Sequence, residues 1–263
     1  MITVRDIEQF LYDWAPPETA ASWDNVGLLV GRPDRPGRRV LVALDVTPAV
    51  AAEAAELGAD LVVAHHPVMN VRWHEQELQT LREDTRLGGL LTYLVRHDLS
   101  AICMHTNLDA AEGGVNDCLA QKLGLSGTIP LNEQKIGRIG TLSCEIPLEQ
   151  FLHDVVKSLG CRGLRYRSGG RPVRRVAVGG GACGEYIPQA LAQGCDTFVT
   201  SDLRYNDFLD TQGLNLIDAG HFPTEDVVCA EVVRRLQKAF PDIRVSKSAV
   251  HHDAVQYYMT EGE

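Results

Sequence analysis

Two short apolar runs, separated by the length of one helix, set the fold class. Val40-Leu41-Val42-Ala43-Leu44-Asp45 and Leu61-Val62-Val63-Ala64 are unbroken apolar stretches of strand length, so each reads as a buried strand. Residues 48–57 between them are Ala-rich, with Thr47 as cap and Pro48 at the first helical position, where a missing N–H does no harm. Strand, helix and strand at this spacing make a βαβ unit, whose strands are parallel. The second run passes into His65-His66-Pro67, and Pro67 stops further pairing. In open α/β sheets ligands collect at that strand edge, and neutral imidazole is a common metal ligand near pH 7. Alone, a His-His pair reads more simply as the start of a solvated loop. It gains weight only if other ligand-type residues also fall at strand ends.

The rest of the chain continues the alternation. Thr3 and Asp6 have the spacing of a capping box, and Ile7, Phe10, Leu11 and Trp14 follow at helical period until Pro16-Pro17. Trp23-Asp24-Asn25-Val26-Gly27 is a turn entering a short strand, with Trp23 expected in a core or interface and Asp24 and Asn25 as turn formers. A helix is expected over 77–96, weakened by Gly88-Gly89. A strand over 100–105 delivers His105, Thr106, Asn107 and Asp109 at its end, and a helix over 115–123 follows. Residues 126–135 are polar and breaker-rich and suggest a domain boundary. Beyond them strands are expected at 138–145, 163–166, 173–178, 197–200 and 214–218, with closing strands at 243–245 and 254–258. Helices are expected at 148–159, 187–192, 205–211 and 223–240. The predicted fold class is α/β, two subdomains with mixed, largely parallel sheets. One comprises 1–128 and 222–263, and the second, 129–221, is inserted in it. Both halves are α/β, so an ancient duplication is conceivable.

Composition narrows the function classes. The 263 residues are 44% hydrophobic and 23% charged, as in ordinary soluble globular chains. A net charge of -10 argues against a surface that clings to nucleic acid or anionic membrane, although a local cationic site such as a metal pair would still bind an anion. No apolar stretch has the length to cross a bilayer, and the start lacks a signal-peptide pattern. The seven cysteines are odd in number, scattered, and never spaced Cys-x-x-Cys, which fits small buried residues in a reducing cytoplasm. A cytoplasmic location is expected.

Three strand ends present ligand-type side chains: His65-His66, His105 with Asp109, and His221 with Glu225. His221 and Glu225 are four apart across a helix start, so both can lie on one face. His65, His66, Asp109, His221 and Glu225 are three imidazoles and two carboxylates, more than one catalytic zinc takes from protein. The set suits two ions that share a carboxylate and lower the pKa of a shared water for attack on carbon or phosphorus. Nitrogen and oxygen donors without sulfur fit zinc, iron(II), manganese or cobalt alike. His105 is not needed to complete either metal. It is a candidate catalytic proton shuttle, with orientation of Asp109 an equal alternative.

These segments resemble a known family. Trp23-Asp24-Asn25-Val26-Gly27-Leu28, Ala64-His65-His66-Pro67, His105-Thr106-Asn107-Leu108-Asp109 with Gly113-Gly114-Val115-Asn116, Gly179-Gly180-Gly181, and Gly220-His221-Phe222-Pro223-Thr224-Glu225 match the Nif-three-like dinuclear-metal proteins in order and spacing. These are also called GTP cyclohydrolase I type 2 homologues, and the match runs from residue 3 to residue 258. The resemblance implies a Nif-three-like fold with a metal site in the cleft between its subdomains. It further implies a toroidal homohexamer, a trimer of dimers, and two divalent ions per chain on His65, His66, Asp109, His221 and Glu225. Taken literally, the family name makes a nucleotide the substrate, with attack at C8 of GTP, ring opening and formate release. A divalent pair suits phosphate esters equally well. The chain departs from the family at Thr200-Ser201-Asp202-Leu203-Arg204-Tyr205-Asn206, with Ser for Gly and Asn for His. Asn206 cannot exchange protons near pH 7.

Two rival readings remain. Gly179-x-Gly181-x-x-Gly184 follows a strand and precedes a helix, with Asp202 ending the next strand, as in a dinucleotide fingerprint. Asp196 at the next strand's start argues against it, and a tight turn near the metal residues is the simpler reading. A non-enzymatic ring that binds metal and a protein partner is the second rival. The clusters Glu75/Glu77 and Arg234-Arg235 read as solvated helix faces, and His251-His252 as surface residues.

Overall fold

The computed structural model describes residues 1–69 and 80–258. In chain order its elements are α1 (Val4–Trp14), β1 (Gly27–Val30), β2 (Arg39–Ala43), α2 (Pro48–Glu56), β3 (Leu61–Ala64), α3 (Arg86–Arg96), β4 (Ser100–Cys103), α4 (Thr106–Ala110) and α5 (Val115–Lys122). There follow β5 (Ser126–Pro130), β6 (Arg138–Ile146), α6 (Leu148–Leu159), β7 (Arg165–Arg167), β8 (Val173–Val178), α7 (Ile187–Ala192), β9 (Thr197–Thr200), α8 (Tyr205–Asp210), β10 (Asn215–Asp218), α9 (His221–Glu225), α10 (Val227–Ala239) and β11 (Arg244–Lys247). They form two compact units: Met1–Gly114 with Val228–His251, and Val115–Val227 with the residues from His252 on. No helix among the described residues is long and apolar enough to cross a membrane.

The first unit holds a five-stranded sheet in the order β1-β4-β3-β2-β11, in which only β1 runs antiparallel to its neighbour. The second holds six strands in the order β5-β6-β8-β9-β10-β7, with β8, β9 and β10 parallel. Strands buried on both faces need apolar residues at every position, because alternate side chains point to opposite sides. In the second unit Val176, Val178, Val199 and Ile217 join one core, and Ala177, Phe198 and Leu216 the other. In the first unit Leu41, Ala43, Val62, Ala64, Ala101 and Cys103 line one face. Val40, Val42, Val63 and Ile102, also buried, occupy the alternate positions.

The same module builds both units. Each runs helix, antiparallel edge strand, parallel strand, helix, parallel strand, helix, parallel strand and a short helix: α1 to α4 in one, α6 to α9 in the other. The local chemistry repeats as well. A left-handed glycine, Gly58 (φ +62°) or Gly194 (φ +71°), precedes Asp60 or Asp196 by two residues. Asp60 accepts the backbone N–H groups of Arg38 and Arg39 at 2.9 and 3.1 Å, and Asp196 those of Arg174 and Arg175 at 3.0 and 2.7 Å. Each carboxylate thus fixes the entry of one parallel strand against the next. Asp196, which interrupts the apolar run in sequence, is part of this clamp. The repeat gives the conceived duplication a structural basis.

The final helix of each module is exchanged. α5 follows the first module yet belongs to the second unit, where Leu119, Ala120 and Leu123 enter its core. Nearly all of α10 belongs to the first unit, where Phe240 just beyond it meets Phe10 and Arg235 lies over the Trp14 ring, 4.2 Å from its centroid. Arg235 is therefore more than the solvated residue expected, whereas Arg234 pairs with Glu231 on the surface.

Several elements differ from the sequence reading. α3 begins at Arg86 rather than 77, because Thr85 caps it and accepts the Gly88 N–H at 3.1 Å. Residues 77–79, and with them Glu75 and Glu77, lie outside the described residues. The breaker-rich stretch contains β5, an exposed edge strand whose polar face hides its pattern. The helix expected over 223–240 is two helices, α9 and α10. Residues 254–258 form no strand. If the aspartate clamp organises each sheet, Asp196→Ala leaves two backbone donors without their acceptor and lowers stability by about 1–3 kcal/mol in equilibrium urea unfolding. A change below about 0.5 kcal/mol would make the clamp incidental.

Candidate metal centre

Three imidazoles of the first unit converge. The backbone N–H groups of both His65 and His66 donate to the Leu44 carbonyl, at 3.1 and 2.9 Å, as the chain leaves β3. That turn lets adjacent residues face the same region instead of opposite sides. His105, the residue before α4, joins them, with ring centroids 5.2 Å from His65 and 5.7 Å from His66. One nitrogen of each lies within 4.8 Å of the others, a grouping that could hold a metal ion. Asp109, on α4, places Oδ1 3.7 Å from His65 Nε2. His65 and Asp109 are only 2% and 8% exposed.

Each ring is held by its other nitrogen. His65 Nδ1 donates to the Met104 carbonyl at 2.8 Å, His66 Nδ1 to Asp45 Oδ1 at 2.7 Å, and His105 Nδ1 to Asp24 Oδ1 at 2.8 Å. An oxygen acceptor on Nδ1 puts the proton there, so the lone pair of the neutral ring lies on Nε2. Asp24 also accepts the Thr106 N–H at 3.0 Å and its hydroxyl at 2.5 Å. Burial works to raise the Asp24 pKa, but the bonds from His105 and Thr106 outweigh it and hold the group at about 2. Asp45 is held well below the usual carboxylate range: burial opposes, and bonds to His251 and His66 prevail.

In the second unit, α9 carries His221 and Glu225. His221 Nε2 lies 3.0 Å from Glu225 Oε2, and its Nδ1 donates to Asp202 Oδ2 at 2.5 Å. Burial disfavours the imidazolium, yet Glu225 and Asp202 raise the His221 pKa to about 11. A pair of carboxylates that holds a proton this firmly marks a place that favours positive charge. Asp202 adopts φ +54°, a left-handed conformation that Asp tolerates better than most residues. A Cβ on Gly181 (φ +67°) would meet Glu225 Oε1 at 2.1 Å and His221 Nε2 at 3.2 Å. The glycine turn thus gives the ligand-type side chains their room.

That turn does not cradle a phosphate. The Gly179, Gly180 and Gly181 N–H groups donate to the Val199 carbonyl, Asn116 Oδ1 and Thr224 Oγ1, at 2.9, 2.9 and 3.1 Å. The dinucleotide reading loses its physical basis there. The structure brings His65, His66, His105 and Asp109 together in one unit and His221 with Glu225 in the other. Sequence reasoning missed the oxygen partners. The sequence suggests Asp24 only as a turn former, Asp45 only as a strand end, and Asp202 only as the strand end of a dinucleotide fingerprint. His251 was expected at the surface, but its side chain is 7% exposed and its Nε2 lies 3.1 Å from Asp45 Oδ2. Trp23, expected in a core or an interface, is 42% exposed in the single chain and lies edge-on to His105 at 6.0 Å between centroids. Asn206 is exposed on α8.

Fold and side chains define an α/β protein built from two like modules and bearing histidine and carboxylate groups suited to divalent metal. The chain belongs to the Duf34/NIF3 (NGG1p interacting factor 3) family, whose profile matches residues 2–254. It is 32% identical over 244 residues to a Clostridium perfringens protein named GTP cyclohydrolase 1 type 2 homolog, covering 89% of this chain and 91% of that one. A Streptomyces coelicolor protein of the same name is 34% identical over 224 residues, covering 80% and 77%. Among solved structures, a Bacillus cereus protein related to NIF3 superposes with a TM-score of 0.90 at 25% identity, covering 98% and 99%.

Gly181→Ala and Gly194→Ala separate backbone strain from crowding at the site. Both positions have positive φ, but a Cβ at 194 meets nothing within 4 Å. Gly194→Ala is expected to lose about 1–2 kcal/mol in urea unfolding. Gly181→Ala should lose a further ~1–3 kcal/mol as Glu225 is displaced. Equal losses would show that Glu225 has room to move.

Proposed function

We propose that His65, His66, Asp109, His221 and Glu225 hold two divalent metal ions and that the chain is a metal-dependent hydrolase acting on a nucleotide, in the manner of a GTP cyclohydrolase. One observation carries the reading: the three imidazoles of the set, His65, His66 and His221, all have Nδ1 on an oxygen, the outer partner that orients a metal-ligating histidine. The donors are nitrogen and oxygen without sulfur, which suits zinc, iron(II), manganese or cobalt. When bound, such ions supply Lewis acidity and lower the pKa of coordinated water.

The chain's own residues do the remaining work. Met104, Asp45, Asp24 and Asp202 fix the ring planes, so the ligands need little reorganisation on loading. His105 is not required to complete the five-residue set. Its Nε2 is placed to take or give a proton, with Asp24 stabilising the imidazolium that forms. The names of the relatives support GTP as the first substrate to test, with phosphate esters second. A homohexameric, cytoplasmic protein is the matching form.

Metal content of untagged protein prepared without chelator is expected near two ions per chain, falling clearly in Asp109→Ala. With metal restored, GTP should release formate, and His105→Ala should slow turnover by about 10²–10⁴-fold with metal content unchanged. A protein that stays metal-free after repletion with zinc, manganese and iron would overturn the hydrolase. Two ions with no turnover of GTP or phosphate esters would favour a ring that binds metal and a partner.

A further inference from the structure

The Asp45 carboxylate has both oxygens engaged by imidazoles. Oδ1 accepts from His66 Nδ1 at 2.7 Å, and Oδ2 lies 3.1 Å from His251 Nε2. His251 comes from the far end of the chain, and several bonds hold it there. β11 pairs with β2 in parallel register, Lys247 opposite Val42, and the Ser248 N–H extends the ladder to the Val42 carbonyl at 2.8 Å. Glu53 on α2 then accepts the Ser248 hydroxyl at 2.5 Å and the Ala249 N–H at 2.8 Å. The His251 N–H donates to Ser248 Oγ at 3.1 Å. The segment after β11 is thus turned back so that its imidazole reaches the end of β2, where Asp45 stands.

We infer that His251 is a positioning residue for metal binding: through Asp45 it fixes the plane of the His66 ring. The inference rests on His66 being a ligand, as proposed above. A carboxylate bonded through one oxygen can rotate and take its partner ring with it. A carboxylate bonded through both is pinned. Removing His251 leaves Asp45 with His66 alone, and the ring gains freedom that must be lost again on loading. Groups that hydrogen-bond a ligand typically change metal affinity by about 10–100-fold. His251 acts one bond further out, so its effect should be smaller, about 3–10-fold.

The test is zinc(II) affinity of chelator-stripped full-length protein, by competition with a chromophoric chelator, alongside the melting temperature of each metal-free variant. Asp45→Asn is expected to weaken binding about 10–100-fold and His251→Leu about 3–10-fold. His251→Gln, whose amide N–H can still reach Asp45, should restore affinity to within about twofold of the parent. The double variant Asp45→Asn with His251→Leu should bind no more weakly than Asp45→Asn alone, because both changes act on one linkage. Should His251→Leu fail to fold, His251→Asn, too short to reach Asp45, takes its place. Parent-like affinity in a folded His251→Leu or His251→Asn would overturn the inference, as would independent, multiplying losses in the double variant. His66→Ala is the control for the underlying reading: parent-like zinc binding there means that His66 is no ligand, a result separate from any seen at His251.

Discussion

An imidazole carries two nitrogens, and a protein that directs one toward a cation must give the other something to hold. In this chain His65, His66, His105 and His221 each have Nδ1 on an oxygen, from the Met104 carbonyl or from Asp24, Asp45 and Asp202. Their placement explains much of the local architecture. The common bond of the His65 and His66 N–H groups to Leu44, the hold of Asp24 on Thr106 and His105, and the left-handed backbone at Asp202 all put an acceptor behind a ring. The same partners account for perturbed protonation. Against the effect of burial, the bonds from His105 and Thr106 lower the Asp24 pKa to about 2, and Glu225 and Asp202 raise that of His221 to about 11.

The parallel strands and the ligand-type residues at their ends were legible in the sequence. Unbroken runs such as Leu61 to Ala64 can hardly be anything but strands buried on both faces, and 187–192 and 197–200 lie where periodicity put them. What the sequence concealed was long-range. Nothing near Asp45 in sequence indicates His251, which meets it only because β11 lies along β2. The polar strand β5 has no apolar pattern because it is an exposed edge. Asp196 looked like a break in an apolar run, yet its carboxylate serves the neighbouring strand's backbone. Short-range physics could not distinguish these cases.

The family relationship and the geometry bear on function differently. Likeness along nearly the whole chain fixes membership and fold. The specific chemistry rests on what this chain's residues do. Its glycine turn shows why that distinction matters. The spacing matches a nucleotide-binding signature, but its N–H groups serve Val199, Asn116 and Thr224, and its missing Cβ makes way for Glu225. One short motif thus has two physical uses, and only the hydrogen-bond partners separate them.

The exchange of closing helices also bears on how the chain is made. A ribosome releases the first module before the residues that complete its unit exist. Until Val228–His251 emerge, that unit lacks α10 and the strand that borders β2. The second unit, by contrast, has its main segment, Val115–Val227, in one stretch. The part synthesised first is therefore the part finished last, with an open strand edge in the meantime of the kind that invites pairing with other chains. Truncation just before α10 would leave that edge bare for good, so even a modest loss at the carboxyl end endangers the amino-terminal sheet.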